Sequence, residues 1–144
     1  MEIRKAKIEE AGLVAALAVQ MWESHTVTDL QEEFEAYIRD DGAVFLAWKN
    51  EEAIGFAQCG FRHDYVEGTE SSPVGYLEGI FVVEAERKHG VARKLLQVCE
   101  DYAKEQGATE FASDCELTNT QSLKFHLSVG FEEANRIICF TKKL

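Results

Sequence analysis

The stretch Tyr76-Leu77-Glu78-Gly79-Ile80-Phe81-Val82-Val83-Glu84-Ala85-Glu86-Arg87-Lys88-His89-Gly90-Val91-Ala92-Arg93-Lys94-Leu95-Leu96 decides how the chain is read. Its apolar first half predicts a buried strand that closes at Val83, a short charged turn follows, and a helix opens at about Gly90. The turn sets Arg87, Lys88, Gly90, Ala92 and Arg93 around a helix N-terminus. There, unpaired backbone N–H groups and the positive end of the helix dipole favour an anion. Strand, anion-binding turn and helix in that order predict an α/β chain that cradles a phosphate-like group.

Two residues inside the strand are out of keeping with it. Gly79 interrupts an apolar run, the usual mark of a β-bulge or of close approach by a ligand or another backbone. Glu78 places a carboxylate in the most apolar strand, where burial without a partner is costly. It either reaches a solvated pocket or is paired inside, and such positions are enriched at active sites.

Upstream, Ile3 to Lys7 predicts a first strand, and Ile8 to Glu23 carries Leu13, Leu17 and Met21 at helical spacing. Trp22, at the end of that helix, is either a lid on the core or one wall of a ligand pocket. Thr28-Asp29-Leu30-Gln31 fits a capping box, and Leu30, Phe34, Tyr37 and Ile38 give the helix that follows one apolar face. Ala43 to Trp48 and Ile54 to Arg62 read as antiparallel strands joined through Asn50-Glu51-Glu52. The polar segment from His63 to Pro73 has the length of a binding loop, and its Tyr65 either faces a ligand or packs the loop down.

Downstream, the helix from Gly90 ends at Gly107, as a C-terminal glycine should end it. A strand at Glu110 to Ser113 carries Asp114 at its C-terminal end, where ligands collect in open α/β sheets. Asn119 to Val129 predicts a further helix, and Phe131 to Glu133 and Ile137 to Lys142 are expected to complete the sheet as strands.

At 144 residues, 46% of them hydrophobic and only one proline, the chain has the size and composition of one ordered domain, residues 1–144. It has neither a signal-peptide pattern nor a run of about eighteen apolar residues, so a cytoplasmic location is expected. A formal net charge of −11 argues against nucleic acid or an anionic membrane as partner and suits a polycationic small molecule, although an acidic surface also serves plain solubility. Cys59, Cys99, Cys115 and Cys139 form no Cys-x-x-Cys pair, and His25, His63, His89 and His126 have no ligand spacing, so no metal site is expected.

Two motifs together resemble the GNAT superfamily of acetyl-coenzyme A-dependent N-acetyltransferases. Arg87-Lys88-His89-Gly90-Val91-Ala92 fits its Gln/Arg-x-x-Gly-x-Gly/Ala pyrophosphate loop, and Asn119 through Gly130-Phe131 fits its later motif, in which an Asn opens a helix that ends in Gly-Phe. A Walker A loop is excluded, because no Gly-Lys-Ser/Thr follows. Arg62 to Gly68, Ser71-Ser72-Pro73, Leu77 to Val82 and Ala112-Ser113-Asp114 further resemble the chromosomal type of bacterial aminoglycoside 6′-N-acetyltransferases. The resemblance implies a mixed sheet of about six to seven strands flanked by about four helices. It also implies acetyl-CoA as co-substrate, the 6′-amine of an aminoglycoside as acceptor, and frequently a homodimer joined through C-terminal strands.

By the same resemblance, Trp22, Tyr65, Glu78 and Asp114 wall the acceptor site, with Glu78 taking a proton through water. Ile80, Phe81 or Val82 offers a backbone N–H to the acetyl oxygen. Backbone from Lys88, His89, Gly90, Val91, Ala92 and Arg93, with charge from Arg87 and Lys88, holds the pyrophosphate, and Asn119 meets the pantetheine. Many members carry a Tyr seven residues after the Asn to protonate the leaving thiolate. Here His126 stands at that place, either as the acid or as a packed helix residue. The alternatives are the same fold acetylating a polyamine or a protein N-terminus, and a non-catalytic acyl-CoA sensor.

Overall fold

Apolar side chains pointing to both faces of the three central strands make the sheet a partition between two apolar clusters. The computed structural model describes residues 1–144. Strands β1 (Glu2–Lys5), β2 (Ala43–Lys49), β3 (Glu52–Arg62), β4 (Val74–Val82) and β5 (Phe111–Ser113) lie side by side in that order. The first three pairings are antiparallel and β4 with β5 is parallel. A parallel neighbour requires a crossover, and the helix α3 (Val91–Glu105) supplies it.

One face of the sheet, with Phe45, Ala57, Cys59 and Leu77, packs under Val91, Leu95 and Cys99 of α3. The other face, with Val44, Leu46 and Phe56, meets helices α1 (Ala11–Ala18) and α2 (Val27–Arg39) through Val14, Leu17, Leu30 and Phe34. The fourth helix, α4 (Thr120–Ser128), follows β5. The strand, turn and helix predicted around Val83 and Gly90 are all present. The β2–β3 hairpin turns at Asn50 and Glu51, both at positive φ (50° and 66°), as a tight two-residue turn demands.

Several expectations are corrected. The sheet has five strands rather than six or seven, because neither Phe131 to Glu133 nor Ile137 to Lys142 forms a strand. Phe131 N–H donates to the His126 carbonyl (3.0 Å), but no backbone hydrogen bond joins residues 132–144 to the rest of the chain. Ile137, Ile138 and Phe140 are 67%, 80% and 87% exposed, the reverse of the burial expected for a central strand. These residues have strand composition, but no strand within the chain lies beside them. For the same reason α4 has no fully buried residue and Leu127 stays exposed.

Helix α2 is capped by Thr26, whose hydroxyl accepts from Asp29 N–H at 3.1 Å, two residues before the expected cap. The first long helix is instead a short 3-10 turn (Ile8–Glu10) followed by α1, and Met21 and Trp22 lie in the turn after it. No helix is long and apolar enough to cross a membrane.

Leu95 is fully buried where α3 crosses the sheet. Leu95→Ala is expected to lower unfolding free energy by about 2–5 kcal/mol, read as a fall in the urea midpoint at unchanged m-value.

Candidate active site

Strands β4 and β5 pair only from Gly75–Phe111 to Leu77–Ser113, after which β5 ends and β4 continues alone on that side. At the next residue the β3–β4 register slips: Gln58 faces Gly79 and Cys59 faces Leu77, so Glu78 is the extra residue of a bulge. A bulge re-aims its side chain, and Glu78 is thereby turned out of the ladder at the place where the sheet opens.

Past the bulge, Val83 N–H donates to the Ile54 carbonyl across β3 at 2.9 Å. Strand periodicity then turns the Phe81 N–H toward β3 as well. The N–H groups of Ile80 and Val82 point to the side that β5 has vacated. Of the three expected donors, the pleat therefore frees two.

At the far end of this opening lies the turn into α3. Gly90 caps the helix at φ 81°, where a Cβ would be strained, and no side chain caps the helix. Its first intrahelical bond is Lys94 N–H to the Gly90 carbonyl (3.1 Å), so the N–H groups of Val91, Ala92 and Arg93 have no helical acceptor. Lys88, at φ 66°, and His89 are exposed beside them. The turn is held from both sides. Lys49 Nζ reaches Glu86 at 3.1 Å, and Arg87 Nε donates to the Val82 carbonyl at 2.8 Å. The Arg93 guanidinium points to the C-terminus of α4, donating to the Ser128 carbonyl (3.3 Å), so its backbone rather than its side chain is free for an anion. An uncapped N-terminus beside exposed cations fits a pyrophosphate.

The other side of the opening carries the acids. Arg62 Nη2 donates to both oxygens of Glu78, at 2.9 Å to Oε2, and its guanidinium carbon lies 3.9 Å from the centroid of the Tyr76 ring. The Tyr76 hydroxyl donates to Asp114 Oδ2. Arg62 is thus held more firmly protonated than usual, first by its bond to Glu78. Burial, then the bond to Asp114, pushes the Tyr76 phenol above its ordinary value, so it stays a donor. Glu78 also borders a cavity of about 310 Å³ with Tyr37, Asp40, Asp41 and His63.

Trp22 packs on the core. Its indole stacks on Phe34 (6.4 Å between centroids) and meets Phe56 edge-on (6.3 Å), and it also covers Gly79, where a Cβ would lie 2.9 Å from Cζ2. The close approach signalled by Gly79 is that of Trp22. Tyr65 is 76% exposed on its loop and touches none of these groups. That loop is anchored instead by Glu110, which accepts from Ser71 Oγ and from Glu70 N–H at 2.9 Å. These bonds, the hydroxyl's first, hold the Glu110 carboxyl below the usual carboxylate range.

Asn119 caps α4, its Oδ1 accepting from Ser122 N–H at 3.0 Å, which leaves its NH₂ free to donate. His126 has both ring nitrogens engaged. Nδ1 lies 2.7 Å from the Ser122 carbonyl, which can only accept, and Nε2 lies 2.8 Å from Ser113 Oγ. Ser113 in turn lies 3.3 Å from the Leu77 carbonyl, at the last β4–β5 pair. A neutral ring accepts from the Ser113 hydroxyl, whereas an imidazolium donates to it and turns that hydroxyl toward Leu77. His126 is therefore packed in place and coupled to the opening through Ser113.

Arg62, Tyr76 and Ser113 were not singled out by sequence reasoning for these roles. A signal for Arg62 was present in the charge pattern: a lone arginine ends one strand, and a lone carboxylate interrupts the next. No cluster of three or more His, Cys, Asp or Glu is arranged to hold a metal.

The β4 edge thus carries an uncapped helix N-terminus at one end and the carboxylates of Glu78 and Asp114 at the other. The acetyltransferase (GNAT) family profile matches residues 12–131, and the chain belongs to that family. It is 39% identical to an aminoglycoside N(6′)-acetyltransferase type 1 of Acinetobacter haemolyticus over 87% of this chain and 86% of that one. It is also 39% identical to the enzyme of the same name from Salmonella typhimurium, over 99% of each. Among solved structures it is similar to an aminoglycoside N-acetyltransferase in complex with CoA, with TM-score 0.95, 38% identity, and coverage of 99% of this chain and 95% of the other. It is likewise similar to a complex with the bisubstrate analogue CoA-S-monomethyl-acetylneamine, with TM-score 0.93, 38% identity, and coverage of 99% and 98%.

Gly79→Ala is expected to push the indole off the bulge, costing about 1–3 kcal/mol of stability. Urea unfolding and a changed tryptophan emission spectrum check it.

Proposed function

We propose that this protein transfers the acetyl group of acetyl-CoA to the 6′-amine of aminoglycoside antibiotics by direct attack in a ternary complex. The observation that carries the reading is the pair of carboxylates, Glu78 and Asp114, set beside the β4–β5 opening whose other end is the anion cradle. The relatives' names and the neamine analogue held by a similar structure support it.

In this reading the N–H groups of Val91 to Arg93, with Arg87, Lys88 and His89 nearby, hold the pyrophosphate, and the Asn119 amide meets the pantetheine. The acetyl oxygen lies against Ile80 and Val82, whose N–H groups stabilise the charge that develops on it. Asp114 holds an ammonium of the acceptor. Glu78 takes the proton of the attacking amine through water, since only the neutral amine is a nucleophile. With His126 as its imidazolium, the thiolate recovers a proton through Ser113, whose hydroxyl gives up its own proton as it takes one from Nε2, leaving the ring neutral. Trp22 and Tyr65 wall the sugar side, Tyr65 from its loop. Cytoplasmic placement suits a protein whose co-substrate is acetyl-CoA.

The exposed Ile137, Ile138 and Phe140 suit a strand completed by a second copy of this chain, and a homodimer is part of the reading. Sedimentation of the full chain should give twice the monomer mass, and truncation after Glu133 should give the monomer.

The reading requires turnover of kanamycin-like compounds with a 6′-amine and none of analogues bearing a 6′-hydroxyl, measured as CoA release. Turnover of spermidine alone would point to a polyamine acetyltransferase, and acetyl-CoA binding without thiol release to a sensor. Glu78→Gln should lower kcat about 100-fold or more at unchanged acetyl-CoA affinity. Asp114→Ala should raise the acceptor KM about tenfold with a smaller effect on kcat.

A further inference from the structure

An acceptor site for a polycation faces two opposed demands. Carboxylates attract the ammonium groups, but a carboxylate beside an ammonium favours its charged form and so withholds the nucleophile. Glu78 and Asp114 do not meet this problem alike. Asp114 is exposed and is bonded by a neutral hydroxyl, with no ion pair of its own. Glu78, whose side chain is 26% exposed, carries a guanidinium across both oxygens. Arg62 is seated on the Tyr76 ring at 3.9 Å, and that ring's hydroxyl is fixed to Asp114, so the guanidinium is bonded to Glu78 and feels Asp114 only at longer range.

Resting on the acceptor reading above, we propose that Arg62 is a positioning residue that fixes the Glu78 carboxylate and offsets its charge, so that the amine bound there is not locked as its ammonium. An ionised carboxylate offers about four lone-pair sites, and a single nitrogen of Arg62 uses one on each oxygen. Glu78 therefore keeps capacity to accept from the amine or from an intervening water. What it loses is the preference for a charged partner. Asp114 retains that preference and serves the acceptor's other ammonium groups. One acid thus anchors the polycation, and the other, already paired, is left for proton transfer.

The groups facing this pair come from every neighbouring element. Tyr37 stands on α2 and Asp40 and Asp41 at its end, Cys59 lies on β3 and His63 follows it, Tyr76 lies on β4, Tyr102 on α3, and Asp114 follows β5. Burial pushes all three phenols up, so Tyr37, Tyr76 and Tyr102 stay neutral. His63 is the imidazole among these facing groups.

The test is the pH dependence of kcat with saturating kanamycin for the parent, Arg62→Gln and Arg62→Lys, each also made in a His63→Gln background. Loss of the cation favours the ammonium. Arg62→Gln should therefore move the acid limb of kcat up by about one pH unit and regain turnover at alkaline pH. The kanamycin KM at neutral pH should fall about fivefold, since the ammonium then meets an uncompensated carboxylate. Arg62→Lys should return the limb most of the way to the parent's. Acetyl-CoA affinity equal to the parent's shows that each variant is folded, and Arg62→Met carries the same test if Arg62→Gln is not. An unmoved limb, a shift that vanishes in the His63→Gln background, or a raised KM with kcat unaltered at every pH would overturn the inference. Parent turnover of kanamycin is judged first and belongs to the acceptor reading. If the parent acetylates spermidine instead, the arms are run with spermidine and the same limb decides, whereas turnover of neither amine overturns both.

Discussion

The parallel pairing of β4 with β5 lasts three residues, and the rest of the site depends on its stopping there. A longer ladder would satisfy the N–H groups of Ile80 and Val82 and close the sheet. Because β5 ends at Ser113, β4 keeps one free edge in the middle of the fold, flanked by the start of α3 on one side and by Asp114 on the other. An unpaired edge ordinarily invites aggregation. Here it is short and bounded, with the Val82 carbonyl taken by Arg87 and the Leu77 carbonyl within reach of Ser113.

The bulge at Glu78 acts with that ending. One inserted residue turns a carboxylate out of an apolar strand at the point where the strands part. Without a partner so placed it would be costly to desolvate. Arg62, at the last position of β3, supplies the partner, and Tyr76 joins the pair to Asp114. The charges of an otherwise strongly acidic chain are thereby sorted, with cations and free N–H groups at the α3 turn and acids at the other end of the opening.

Local signals were sufficient wherever a neighbour in sequence settled the outcome. Gly79 marked the bulge, and Gly90, Gly107 and Gly130 the helix start and ends, the last three at positive φ, a backbone geometry that few other residues adopt. Signals that depend on who lies alongside were misread. Ile137 to Lys142 has strand composition, but a strand needs a partner and this chain offers none at that place. Trp22 and Gly79 were read separately, one as a lid on the core or a pocket wall and the other as a bulge or a close approach of ligand or backbone, yet it is the indole that fills the space above the glycine.

By itself the sequence determined the α/β order, the charged turn at Arg87 to Arg93 that opens a helix, the odd carboxylate in β4 and the family. These are written in contiguous residues whose spacing matches helix or strand period. Only the tertiary structure decided that Arg62 sits on Glu78, that Tyr76 holds Asp114, that Ser113 joins His126 to the opening, and that the C-terminal strands are absent from the isolated chain. Each of these is a pairing between groups far apart along the chain, and the register and twist of the assembled sheet choose among many possible partners of the same chemistry.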